Sequence, residues 1–135
     1  MPTVASAAAA IGVPEEQILK TLLFTASDQY VVAIASGAGR ISRSLLAEVS
    51  GLVRPRAANP DLVAEITGFP AGGVAAIALP EELPVIVDVS VARVPAAYGG
   101  GGREDLLLRI ATADVIRLNN ALVRRIVEDS ATHPA

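Results

Sequence analysis

Two β-rich apolar runs, Leu19 to Thr25 and Tyr30 to Ser36, stand only four residues apart, and their spacer Ala26-Ser-Asp-Gln29 is small and polar. Runs of this length with so short a connection fold back on each other, so they are expected to form a β-hairpin. That hairpin commits the chain to an antiparallel sheet nucleus, and every other segment has to be placed around it.

The flanking sequence alternates helix starts with further apolar runs. Thr3 can cap a helix through the alanine run to Ile11, with Gly12 as its stop. Val13-Pro-Glu-Glu-Gln17 reads as a short turn with acids at its positive end. Ser42 is expected to cap a helix reaching Val49, ended by Ser50-Gly51, and Asn59-Pro60 to open a helix to Thr67 closed by Gly68. Phe69 to Gly73 is then a loop leading into Val74 to Leu79. Pro84 to Asp88 reads as a strand, Val94 as the start of another, and Asp105 to Ile110 as a strand after the four glycines 99–102. Thr112 is expected to cap a helix through Leu118, followed by a second helical or extended piece. The fold class expected is mixed α/β (α+β) in one domain over 1–128, with 129–135 a flexible tail. At 135 residues and 52% apolar content, with aromatics only 3%, the chain can bury a core of small side chains without staples.

Composition removes several chemistries. There is no cysteine, which excludes disulfides and thiolate nucleophiles, and the single His133 sits in the terminal SATHPA. Histidine-centred triads and zinc sites therefore lose their main member, and no metal or other cofactor is expected. The longest uncharged run, Ile66 to Pro80, holds two prolines and three glycines in 15 residues, too short and too broken to span a bilayer. The N-terminal stretch has no basic residue ahead of its apolar part, which gives the expectation of a cytoplasmic protein with no membrane partner.

Against that background Lys20 stands out. It is the only lysine, while ten arginines carry the rest of the positive charge. By pattern alone it is either a specific cation or a snorkelling residue on an edge strand. The glycine pair Gly72-Gly73 and the glycine run at 99–102 are either plain turns or places where a ligand meets exposed backbone N–H groups. Neither matches a nucleotide-binding fingerprint. Net charge is −3, but Arg40, Arg43, Arg54 and Arg56 with one acid, Glu48, give residues 40–56 a local +3. These arginines are candidates for contacts to a phosphate backbone.

Taken in order, four segments resemble the YbaK-type aminoacyl-tRNA editing domain family, which includes freestanding deacylases and the editing insertion of bacterial prolyl-tRNA synthetases. They are Thr3-Val-Ala-Ser-Ala-Ala8 with Ile11-Gly-Val-Pro14; Gln17-Ile-Leu-Lys-Thr-Leu-Leu-Phe24; Ile66-Thr-Gly-Phe-Pro-Ala-Gly-Gly-Val74; and the glycine run with Leu106-Leu-Leu-Arg-Ile110 and Ala113-Asp-Val-Ile-Arg-Leu118. The resemblance implies a curved, barrel-like mixed sheet flanked by short helices, and hydrolysis of the ester joining a wrong amino acid to tRNA. It implies that Lys20 meets the 3′-terminal aminoacyl-adenosine, that Gly72, Gly73 and Val74 shape the pocket, and that Gly100 and Gly101 belong to the substrate site. The partners it implies are the aminoacyl-tRNA 3′ end and an aminoacyl-tRNA synthetase, with a homo-oligomer as one way to close the pocket where the family carries a further helix and strand before the segment matching Thr3. Ala76 stands where the family places a proline four residues after Gly72. The readings that compete with a deacylase are a non-catalytic module binding aminoacyl-tRNA or a synthetase, and a purely structural or oligomerisation domain.

Overall fold

The computed structural model describes residues 3–103 and 105–128; the expected tail 129–135, with His133, lies outside the described residues. The hairpin is present: β1 (Leu19–Ala26) and β2 (Gln29–Ser36) pair antiparallel with Ala26 opposite Gln29, so the turn is only Ser27-Asp28. Ser27 takes φ +56, which a short polar residue tolerates in a tight turn.

Around this nucleus the elements follow in order. A helix α1 (Val4–Ile11) leads through a 3₁₀ turn (Glu15–Gln17) into β1; after β2 come α2 (Arg43–Ser50), the short β3 (Arg56–Ala57) and α3 (Pro60–Thr67). Then follow β4 (Val85–Asp88), a second 3₁₀ turn (Val91–Arg93), β5 (Ala96–Gly100), β6 (Leu107–Ala111), α4 (Thr112–Leu118) and β7 (Leu122–Arg124). The main sheet runs β3-β1-β2-β4-β7, with β1 antiparallel to both β2 and β3, and β4 parallel to β2 and β7. β5 and β6 form an antiparallel ribbon, joined to the main sheet through a bridge between Tyr98 and Ile18. The expected mixed α/β architecture is therefore the observed one, with both pairing senses in one sheet.

Alternation along the strands divides the core between two faces. Leu19, Leu23, Val32, Ile34 and Val87 pack on one side with Val63 of α3 and Val115 of α4. Phe24, Ala26, Val31, Ala33 and Ile86 pack on the other with Leu46 of α2. Each helix uses the cap that its sequence announces: Ser42 accepts from Leu45 N–H at 3.1 Å and Asn59 from Leu62 N–H at 2.9 Å. α4 is the exception, because Thr112 is its first residue and not its cap, and the Thr112 hydroxyl instead donates to the Val94 carbonyl. That bond holds Val94 in a bend, and the strand expected to start there starts at Ala96. No helix among the described residues is long and apolar enough to cross a membrane.

Candidate active site

The site forms where β1 begins. Upstream, α1 is closed at its N-terminus by a capping box in which Thr3 Oγ1 accepts from Ser6 N–H at 3.0 Å and Ser6 Oγ accepts from Thr3 N–H at 2.8 Å. This fixes a short alanine helix whose Val4 and Ala7 face the first residues of β1 across a cavity. Lys20, the second residue of β1, is half-buried, and its ammonium donates to the Gly39 carbonyl in the segment after β2. Burial lowers its pKa below the ordinary lysine value. The ion pairs found among the described residues are Arg103 with Asp105 and Arg117 with Asp114, so Lys20 has no carboxylate to offset that burial.

The two glycine segments meet each other here. Pro70 to Gly73 is a β-turn closed by Gly73 N–H donating to Pro70 C=O at 2.8 Å, and Gly72 at φ +86 supplies the left-handed residue the turn requires. Gly100 approaches Val74 so closely that a Cβ there would lie 2.3 Å from the Val74 carbonyl oxygen, and Ala75 bridges Gly100. Gly102 N–H donates to Gly73 C=O at 3.0 Å and Gly101 N–H to Leu106 C=O at 2.9 Å. The N–H groups of Gly73, Gly101 and Gly102 are thus bound within the protein, which for these three residues matches the plain-turn alternative. The physical role of these glycines is close main-chain approach.

A cavity of about 180 Å³ lies between these parts, and Lys20, Gly72, Val74 and Gly100 all line it. Gly73 and Gly101 do not line it; they sit behind, in the hydrogen bonds just described. Lys20 projects on the Phe24 side of β1, while Val74 belongs to the Leu19 and Leu23 core. They share one cavity because it opens at the edge of β1, where both faces meet. Thr21, Leu22 and Leu107 also line it and were not singled out in the sequence; Leu22 and Leu107, exposed at 40% and 37%, form an apolar lip. A leucine at an outward strand position beside the lone lysine was the available signal. A larger hollow of about 560 Å³ opens at the hairpin end, beside Tyr30, Leu83 and Leu122, and contains none of the sequence-predicted residues.

The arginines divide into two places. Arg40 follows Gly39 directly and is exposed near the Lys20 ammonium. Arg43 donates through Nε to Pro55 C=O at 2.7 Å, which ties it to the segment carrying Arg54 and Arg56. Arg56 lies opposite Thr25, at the far end of β1 from Lys20, about 16 Å along the strand. No group of three His, Cys, Asp or Glu side chains among the described residues could hold a metal ion. Asn119 Nδ2 donates to Ala76 C=O at 2.6 Å and to Val115 C=O at 2.8 Å, which ties α4 to Ala76, the position where the resemblance implies a proline.

Residues 1–118 match the aminoacyl-tRNA editing domain family. Among curated proteins, the chain is 33% identical over 97 residues to a proline–tRNA ligase of Streptococcus thermophilus, covering 72% of this chain and 16% of the ligase. The chain therefore spans a small part of the length of the ligases it matches. Among solved structures, the hypothetical protein APE2540 superposes with a TM-score of 0.84 at 35% identity, covering 93% of this chain and 84% of that one. A candidate trans-editing enzyme for prolyl tRNA synthetase superposes with a TM-score of 0.85 at 29% identity, covering 94% and 80%. With the family matched across most of its length, the chain belongs to the aminoacyl-tRNA editing domain family.

Proposed function

We infer that the chain is a trans-editing deacylase that hydrolyses the ester of mischarged tRNA. The observation that carries this reading is one cavity lined together by the family's lysine position, Lys20, and its glycine-loop positions, Gly72 and Val74. In the reaction, water adds to the acyl carbon, the bond to the ribose oxygen breaks, that oxygen takes a proton, and a free amino acid and uncharged tRNA leave. An aminoacyl ester is already activated and carries a neighbouring ribose hydroxyl, so positioning and preorganised dipoles supply much of the rate without a protein nucleophile.

In this reading Lys20 is a substrate-positioning charge. Its ammonium is held at the Gly39 carbonyl in the segment after β2, beside the exposed Arg40, which suits a backbone phosphate of the tRNA 3′ end while the acyl group enters the cavity. Gly72, Val74 and Gly100 form the wall, with Gly73 and Gly101 behind them. Arg43, Arg54 and Arg56 would touch the tRNA backbone farther from the acyl end. The reading includes metal-independent hydrolysis, because the sequence has no cysteine and a single histidine to serve as strong ligands.

Turnover of a panel of aminoacyl-tRNAs tests the reading. Hydrolysis of at least one mischarged species, persisting in EDTA once magnesium is restored for tRNA folding, is expected. A panel on which the folded protein accelerates nothing above the uncatalysed rate, while still binding tRNA, would replace the deacylase with the non-catalytic binding module.

A further inference from the structure

The backbone of β1 bonds to two sides in turn. Gly37 N–H donates to Ile18 C=O at 2.9 Å on the β2 side, and Ala58 N–H donates to Leu23 C=O at 2.9 Å on the opposite side. Successive residues of an antiparallel strand direct N–H and C=O alternately to their two neighbours. Lys20 and Leu22, opposite Ala35 and Ala33, therefore bond β2, whereas Leu19, Thr21 and Leu23 point outward. On that outer side Ala58 takes Leu23 C=O, β3 pairs along Phe24 and Thr25, and β5 bridges at Ile18. Between these contacts no bridge pairs Thr21, whose N–H and C=O point outward side by side, and Thr21 lines the cavity. Its hydroxyl is the one buried side-chain polar atom among the described residues with no hydrogen-bond partner.

We propose that the aminoacyl group docks on this open edge as a one-residue strand, its ester carbonyl accepting from Thr21 N–H and its α-ammonium donating to Thr21 C=O. The proposal rests on the deacylase reading and deepens it. An aminoacyl ester carries a donor and a carbonyl acceptor about a single Cα, as a peptide residue does, so it can exchange both bonds with one strand residue. The N–H groups of Gly73, Gly101 and Gly102 are occupied within the protein and do not serve the carbonyl. When water adds to the acyl carbon, the carbonyl oxygen becomes an alkoxide, and Thr21 N–H is the fixed donor that meets the new charge. The Lys20 ammonium lies across the strand at Gly39, so the docked α-ammonium does not face it. A cavity of about 180 Å³, walled by Val4, Ala7, Ile18 and Val74, is below the roughly 300–1,000 Å³ of drug-sized pockets and takes one small residue.

The test uses ¹⁵N-labelled protein and a non-hydrolysable aminoacyl-adenosine in which an amide replaces the ester. In the free protein the Thr21 amide should exchange faster than those of Lys20 and Leu22. With the analogue bound, it should shift and exchange about fivefold more slowly, the effect of one added hydrogen bond. An analogue lacking the α-amine should bind more weakly and leave Thr21 less protected. In the activity arm, Thr21→Pro removes the N–H on an edge where β2 pairing does not use it; kcat should fall on the order of 10²-fold with KM for tRNA little changed. Shifts elsewhere without change at Thr21, no shift anywhere at saturating analogue, or a folded Thr21→Pro protein working at the parent rate would each overturn the docking mode. Protection of Thr21 in a protein that turns over no substrate would keep the docking mode and remove the deacylase reading.

Discussion

Gly100→Ala places a methyl group where the structure has no room for one. The Cβ would sit 2.3 Å from the Val74 carbonyl oxygen and 3.0 Å from its carbon. Carbon–oxygen contacts of this kind settle at about 3.3 Å or more, so the two main chains must part by about 1 Å. They cannot part freely, because the Ala75–Gly100 bridge and the Gly102 N–H to Gly73 C=O bond hold the same segments together. Overpacking costs about 1–3 kcal/mol, and the reduced freedom of the unfolded chain returns about 0.4–1 kcal/mol, leaving a net loss of up to about 2.6 kcal/mol. Activity should suffer more, since Val74 and Gly100 both line the cavity and a displacement of about 1 Å at a positioning wall can cost on the order of 10²-fold. Gly99→Ala is the control: its Cβ meets Leu19 at 3.5 Å, an ordinary contact, and stability should stay within about 1 kcal/mol of the parent. Urea melts and deacylation rates are the assays. A Gly100→Ala protein with the stability and kinetics of Gly99→Ala would refute the claim that close approach of the two glycine segments shapes the site.

Lys20→Ala should lower deacylation on the order of 10²-fold or more, with Lys20→Arg rescuing poorly because a planar fork replaces a compact charge. Its lowered pKa gives a second readout: native Lys20 releases its proton before the unfolded chain does, so stability rises as pH climbs through the native pKa toward 10.5, while catalysis relative to the uncatalysed rate falls. Buried Asp88 accepts from Ser90 N–H at 2.9 Å, Ile126 N–H at 2.7 Å and Val127 N–H at 3.1 Å. Burial alone would raise its pKa, but these donors together outweigh it, and the folded value lies below 3.8. Its contribution is therefore present above the unfolded value and lost as pH falls through the folded one; Asp88→Asn should cost about 2–4 kcal/mol in a urea melt and flatten that acid limb. Arg54 sits at φ +52, so Arg54→Gly relieves the left-handed backbone and should hold stability within about 1 kcal/mol. The same variant should weaken tRNA binding and reduce the salt slope by about one, and unchanged binding across salt would remove Arg54 from the interface.

What the sequence made legible, and what it did not, follows from the range over which each feature is determined. The β1–β2 hairpin and the helix caps at Thr3, Ser42 and Asn59 are decided by residues within one turn of each other, and all were readable. Thr112 was misread because its hydroxyl partner, Val94, is 18 residues away, and that bond moved both a helix cap and a strand start. Lys20 was legible as a singular residue, but not its bond to Gly39 across the hairpin. The glycines were legible as special, with plain turns and ligand-facing loops both open: Gly73 N–H closes its own turn onto Pro70 and Gly101 N–H bonds Leu106 nearby, whereas the bond from Gly102 to Gly73 depends on the two loops packing together, a tertiary fact with no local signature. Thr21 was invisible for a further reason. Which backbone groups of a strand are free depends on the register of β1 with β2 and on how little of its outer edge β3 and β5 cover. Side-chain patterns report which face of a strand is buried, but they are silent about its edge, and in this fold the edge is where the cavity opens.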